Sequence, residues 1–202
     1  MSDMGREARA IDPEHAYHVT CRGSRRYPIV FDDADCHAFV DELHRIAARF
    51  EWEVLAWCLM PNHHHLVLRT EQPSFSAGFQ QLNGNHARRT NRRHGWDAHL
   101  FKNRPRAGRC DSTAHVIGAV AYVVRNPVAA GLVRHARAWP WSSYRATVGE
   151  APAPSWLRVD EVLELFGTTH ERACRAFDDL VHNGHLLVSD TEELPADLQP
   201  SL

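Results

Sequence analysis

The chain has 202 residues, 44% of them hydrophobic, which is enough for one domain with a buried core and an appendage but too little for two full domains. Its net charge of −2 excludes a globally basic protein, so a nucleic-acid partner would have to be held by a local basic face. No stretch approaches the roughly 18 apolar residues of a membrane span, and five single cysteines without a CxxC pair argue against a disulfide framework or a thiolate zinc site, leaving a reducing cytoplasmic setting as the expectation.

Residues 1–13 read as a polar leader without an apolar signal core. AYHVTCR (16–22) alternates with the period of a half-buried strand, Tyr17, Val19 and Cys21 on one side and His18, Thr20 and Arg22 on the other. DDADCHAFVDELHRIAARF (32–50) opens on acidic cap candidates and repeats apolar residues at Phe39, Leu43, Ile46 and Ala47, the stripe of an amphipathic helix. WEVLAWCLM (52–60) and HLVLRT (65–70) predict antiparallel strands joined at Pro61–Asn62. SFSAGFQQLNGNHARRTNRRHG (74–95) predicts a second helix capped by Ser74 or Ser76, basic in its C-terminal half and ended by Gly95. Residues 99–110 allow a further strand or hairpin, although Pro105 and Gly108 weaken it.

This order of elements predicts an α+β chain: a ferredoxin-like (split βαβ) antiparallel sheet with helices on one face. STAHVIGAVAYVVRN (112–126) predicts a third helix that stops before Pro127, because the residue before a proline is pushed away from helical geometry. A catalytic domain over 14–148, a linker at 149–158 and a helical, acidic C-terminal extension at 159–202 complete the expected organisation.

The segment MPNHHHLVLRT (60–70) places three histidines in a row. On a strand, side chains alternate, so His63 and His65 share one face, about 7 Å apart at the Cα atoms, and His64 takes the other. Two imidazoles at that spacing can converge on one metal ion, although an HxH pair is equally compatible with a solvated surface. In VAYVVRNPVAAGLV (120–133), Tyr122 and Asn126 lie four residues apart and hence on one helical face. An amide oxygen can serve as a further ligand for a hard cation, and a phenol beside such an ion becomes a better nucleophile. Taken singly, the pair also fits a core-edge aromatic and a helix-terminal amide.

Taken together, the HxH after MPN, the helix ending YxxxNPVxAGLV, the basic NRRHG, the LF at 100–101 and the WPWSSYR at 139–145 resemble the REP-associated tyrosine transposases, within the single-tyrosine HUH (IS200-like) transposases. The resemblance spans residues 14–148 and implies a ferredoxin-like enzyme that cuts single-stranded DNA beside hairpins through a 5′-phosphotyrosine intermediate. It implies Tyr122 as the nucleophile, His63 and His65 as metal ligands with Asn126 at the place of a third, and Mg²⁺ or Mn²⁺ as the cofactor. His64 departs from the pattern, standing where the family usually has a hydrophobic residue, as does Pro105 after Arg104, where an aromatic is common.

Beside such a centre, Arg88, Arg89, Arg92 and Arg93 on the second helix, followed by Lys102, Arg104 and Arg106, are candidate DNA contacts. Trp139, Trp141 and Tyr144 read as core closure ahead of base stacking. The expected partner is single-stranded or hairpin DNA, with the protein acting as monomer or homodimer. Two other readings fit the same residues: a non-catalytic nucleic-acid-binding protein on this scaffold, and a metal-dependent hydrolase in which bound water attacks and Tyr122 is structural.

Overall fold

The computed structural model describes residues 11–102 and 104–183. Its elements in chain order are β1 (Ala16–Arg22), α1 (Asp33–Arg49), β2 (Glu53–Met60), β3 (His63–Arg69), α2 (Gln72–His94), β4 (Arg106–Cys110), α3 (Thr113–Ala129), α4 (Tyr144–Thr147), α5 (Val159–Glu164) and α6 (His170–Asn183). The strands form one antiparallel sheet in the order β2-β3-β1-β4. This is the split βαβ arrangement, in which the first and third strands in sequence lie side by side at the centre.

Strand alternation sorts the core into two layers. Tyr17, Val19 and Cys21 of β1, Leu66 and Leu68 of β3 and Val54, Trp57 and Leu59 of β2 pack with Phe39, Leu43 and Ile46 of α1 and Phe75, Phe79 and Leu82 of α2. The other face carries Leu55, Ala56, Cys58, Met60 and Val67 against Val120, Val123 and Val124 of α3 and Phe177 of α6. A register shift between Val54 and Ala56 lets Leu55 and Ala56 both face this second layer. The sheet is thus covered on both sides, α1 and α2 on the expected face and α3 on the opposite one.

Local chemistry accounts for the helix ends. Asp32 caps α1 by accepting from the Asp35 amide at 3.0 Å, and Ser112 caps α3 through the His115 amide at 3.2 Å. Gly95 ends α2 in the left-handed conformation, φ 71°, that a glycine adopts without steric cost. The expected Ser74 or Ser76 cap is not used: α2 starts earlier, with Glu71 at its N-cap and Pro73 in the first turn, where proline is tolerated. Gly78 of α2 meets the Trp52 indole so closely that an added Cβ would lie 2.3 Å from the ring.

Three further boundaries differ from the sequence reading. Strand β3 begins at His63, so all three histidines are in the ladder. Helix α3 runs through Pro127 to Ala129 instead of stopping at Asn126. Pro127 lies in the last turn and is buried there, its ring removing one amide donor from the helix. The segment expected as a linker pairs with the sheet: the Val54 amide donates to the Trp156 carbonyl at 3.4 Å, and Arg158 donates back to Val54 at 2.9 Å. Trp156 and Leu157 are buried there, and α5 and α6 replace the single helix expected after 159. The polar leader up to residue 10 and the acidic tail from 184 lie outside the described residues.

Tyr144 is fully buried, its hydroxyl donating to Asp178 of α6, and Trp139 donates from Nε1 to the Leu59 carbonyl at 3.0 Å. Trp139 and Tyr144 therefore close the core between β2 and α6, whereas Trp141 packs on the other layer, against His37 of α1. All five cysteines are free thiols, and no helix among the described residues is long and apolar enough to cross a membrane.

Candidate active site

The C-terminal ends of β1 and β2 and the N-terminal ends of β3 and β4 meet along one edge of the sheet, where α3 crosses the second face. His63 and His65 point to that face, as the strand period requires, and their ring centroids are 4.8 Å apart. Tyr122 of α3 stands over them, its ring centroid 5.8 Å from that of His65. One helical turn on, the Asn126 Nδ2 donates to the Tyr122 carbonyl at 2.9 Å, and the Asn126 side chain lies beside His63. With Nδ2 committed to a carbonyl, Oδ1 is the atom that faces the imidazole. Helix and sheet thus bring together all four residues singled out across a gap of more than fifty positions in the sequence.

The imidazoles are held in a defined way. His65 Nδ1 lies 2.9 Å from His18 Nε2 and 3.0 Å from Thr20 Oγ1, while His65 Nε2 is buried without a hydrogen-bond partner. His63 Nδ1 lies 2.6 Å from Asn62 Oδ1. Burial, reinforced by the Arg22 charge, lowers the His63 pKa to about 4. Burial, then the neighbouring His18, holds that of His65 well below its usual value. Both rings are therefore neutral near pH 7, the form in which imidazole binds a metal.

His64 faces the other way, into the α1 and α2 layer. It is 1% exposed, packs on Phe39 at a centroid distance of 4.9 Å, and reaches Asn83 Oδ1 of α2 through Nε2 at 2.9 Å. Asn83 in turn donates to Cys21 Sγ at 3.2 Å. Burial lowers the His64 pKa to about 3, so the ring is a neutral core residue in the place of a hydrophobic one.

The cationic residues divide by position. Lys102, Arg104 and Arg106 line the cleft that contains His63, His65 and Tyr122, and so do Arg22, Arg25 and Arg26, which the sequence reading did not select. Among the described residues no carboxylate lines that cleft. Arg22 could have been found from the β1 alternation, which puts it on the same side as His18 and Thr20; Arg25 and Arg26 carry no such signal. Arg88, Arg89, Arg92 and Arg93 are exposed on α2, outside the cleft lining. Arg93 is engaged there, pairing with Asp32 at 2.6 Å and with the buried Asp35 at 2.5 Å.

Among the described residues no three His, Cys, Asp or Glu side chains form a metal-holding group. The candidate donors are His63 Nε2, His65 Nε2 and Asn126 Oδ1, and the buried Nε2 of His65, which has no hydrogen-bond partner, is the observation that fits a cation there.

No curated protein matches the chain. Among solved structures it is similar to a REP-associated tyrosine transposase bound to a REP hairpin, with 19% identity, a TM-score of 0.60, and coverage of 74% of this chain and 89% of that one. A tRNA(His) guanylyltransferase from Saccharomyces cerevisiae, 10% identical with a TM-score of 0.44 over 93% of this chain and 85% of that one, is too distant to inform the fold. Residues 13–126 match the family described as Transposase IS200 like, more than half of the sequence. The chain belongs to the IS200-like transposase family.

Proposed function

We propose that the protein is a metal-dependent single-stranded DNA endonuclease and strand transferase, acting beside hairpin DNA, with Tyr122 as its nucleophile. The observation that carries this reading is the pairing of a half-buried tyrosine with two neutral histidines at the base of a cleft that, among the described residues, is lined by six cations and no carboxylate. Such a cleft attracts a phosphodiester backbone, and a single tyrosine within it can attack only one phosphorus at a time.

His63, His65 and Asn126 would hold Mg²⁺ or Mn²⁺, and the fit rests on the orphaned Nε2 of His65 and the amide oxygen turned toward His63. Bound there, the cation would neutralise charge on the scissile phosphate. Two imidazoles are softer than magnesium prefers, which favours manganese. Arg22, Arg25, Arg26, Lys102, Arg104 and Arg106 take up flanking phosphates, while Arg88, Arg89 and Arg92 are available to a longer strand.

In the reaction, Tyr122 loses its phenolic proton and its oxygen attacks the phosphorus. The bond from phosphorus to the 3′-oxygen breaks, that oxygen takes up a proton, and a 5′-phosphotyrosine is left with a free 3′-hydroxyl. A 3′-hydroxyl attacking the adduct reverses these steps, rejoins the strand and regenerates the tyrosine. The phosphodiester energy is conserved in the adduct, so no nucleotide cofactor is consumed. α3 contributes by presenting Tyr122 and Asn126 one turn apart on the side of the helix that meets the sheet.

The test is incubation with labelled single-stranded hairpin DNA and Mn²⁺. Wild type should form a denaturant-resistant covalent adduct that Tyr122→Phe does not form; an adduct with Tyr122→Phe rejects the assignment.

A further inference from the structure

Asn62 makes two side-chain contacts that together fix the orientation of its amide. Nδ2 donates to the Arg26 carbonyl at 3.2 Å, and Oδ1 lies 2.6 Å from Nδ1 of His63. A carbonyl oxygen can only accept, so the nitrogen of the amide belongs at Arg26 and its oxygen at His63. An amide oxygen can also only accept, so Nδ1 of His63 carries the ring proton, and Nε2 presents its lone pair on the Asn126 side.

The main chain around Asn62 is tied to the same loop. Gly23 donates to the Asn62 carbonyl at 2.8 Å, and Ile29 donates to the Pro61 carbonyl at 2.7 Å, so the turn over residues 23–29 is pinned at both ends to Pro61–Asn62. Between those pins Arg25 and Arg26 hold φ angles of 52° and 63°. This left-handed region crowds the Cβ of any residue but glycine, and an arginine stays there only when its surroundings hold it. Both arginines line the cleft.

We propose that Asn62 is a positioning residue with two separable roles. Its oxygen sets the His63 tautomer that can ligate a cation, and its nitrogen holds the Arg25–Arg26 turn in the conformation that presents both guanidinium groups to the DNA backbone. The inference rests on the functional reading above, but neither role requires turnover to be measured.

The experiment follows two binding equilibria: Mn²⁺ titration of the DNA-free protein by electron paramagnetic resonance, and binding of a labelled hairpin oligonucleotide in EDTA. Asn62→Ala should weaken Mn²⁺ binding by about tenfold or more, the usual effect of losing a partner behind a ligand, and should weaken hairpin binding as well. Asn62→Asp keeps the oxygen and loses the N–H. It should therefore bind Mn²⁺ at least as well as wild type while hairpin binding stays weak.

Aspartate is as good a turn residue as asparagine, so recovery of both equilibria in Asn62→Asp would reduce Asn62 to a turn former and overturn the proposal. So would an Asn62→Ala variant that changes neither. The added aspartate charge is controlled by a double-mutant cycle with Arg26→Ala. The arginine substitution should matter less in the Asn62→Asp background than in wild type; equal fold-losses in the two would mean charge repulsion alone and also overturn it. A wild-type protein that binds neither Mn²⁺ nor hairpin removes the functional reading itself, and is told apart because no variant is needed to see it.

Discussion

His65 and His18 meet through Nδ1 and Nε2 at 2.9 Å, with nearly parallel ring planes 5.1 Å apart at their centroids, and His18 also abuts Tyr122 at 5.6 Å. One histidine from β1 thus backs a proposed metal ligand and borders the proposed nucleophile. A protonated Nδ1 on His65 donating to His18 or Thr20 leaves Nε2 free, the usual arrangement behind a ligating imidazole. His18→Ala should lower Mn²⁺ affinity about 10- to 100-fold, read by direct titration without DNA. An unchanged affinity would remove His18 from the site.

His64 gives a prediction about acid stability. Its folded pKa, about 3, lies below the ordinary value of 6.5 for an unfolded chain. The unfolded state therefore binds the proton first as pH falls. Stability contributed by the neutral ring is fully present above pH 6.5 and is lost progressively between 6.5 and about 3. His64→Leu should flatten this limb of the curve in urea titrations made with EDTA, although His63, at about 4, keeps part of the slope. A variant as acid-sensitive as wild type would contradict the assignment.

The cleft cations and the α2 arginines should separate in salt titrations. Single-strand binding loses about 0.7 in logarithmic salt slope per phosphate contact removed. The triple substitution of Lys102, Arg104 and Arg106 by alanine should thus lower the slope by about 2, and removal of Arg88, Arg89 and Arg92 should change it less on a short oligonucleotide. Equal effects would place α2 within the binding path.

Arg93 has a different task. It joins the end of α2 to the start of α1 through Asp32 and Asp35, the latter side chain only 1% exposed. The pairing outweighs the desolvation of Asp35 and holds its carboxyl below the ordinary range. Arg93→Ala should lower the midpoint of chemical denaturation, with His94 still 2.9 Å from Asp35 to limit the loss. Little or no loss would show that Asp35 is satisfied without it.

Much of the site was legible because strand and helix periods are local. Alternation alone separates His63 and His65 from His64, and four-residue spacing puts Tyr122 and Asn126 on one helix face. The order of elements carried the sheet. What depended on tertiary contact was not legible: Pro127 is buried within the last turn of α3 instead of ending it, and Trp156 and Leu157 become strand partners only because β2 offers an edge. His64 looked anomalous until Asn83, nineteen positions away on another element, supplied its partner. Arg25 and Arg26 enter the cleft through a left-handed turn for which no glycine in those positions gives a warning.

The central claim is that Tyr122 becomes covalently joined to DNA, and peptide mapping of the trapped product tests it most directly. Wild-type protein is incubated with hairpin DNA and Mn²⁺, digested with protease and nuclease, and the modified peptide sequenced by mass spectrometry. The account predicts a nucleotide 5′-phosphate on Tyr122 and a free 3′-hydroxyl on the released strand. Cleavage that leaves a free 5′-phosphate and an unmodified Tyr122 peptide would contradict it.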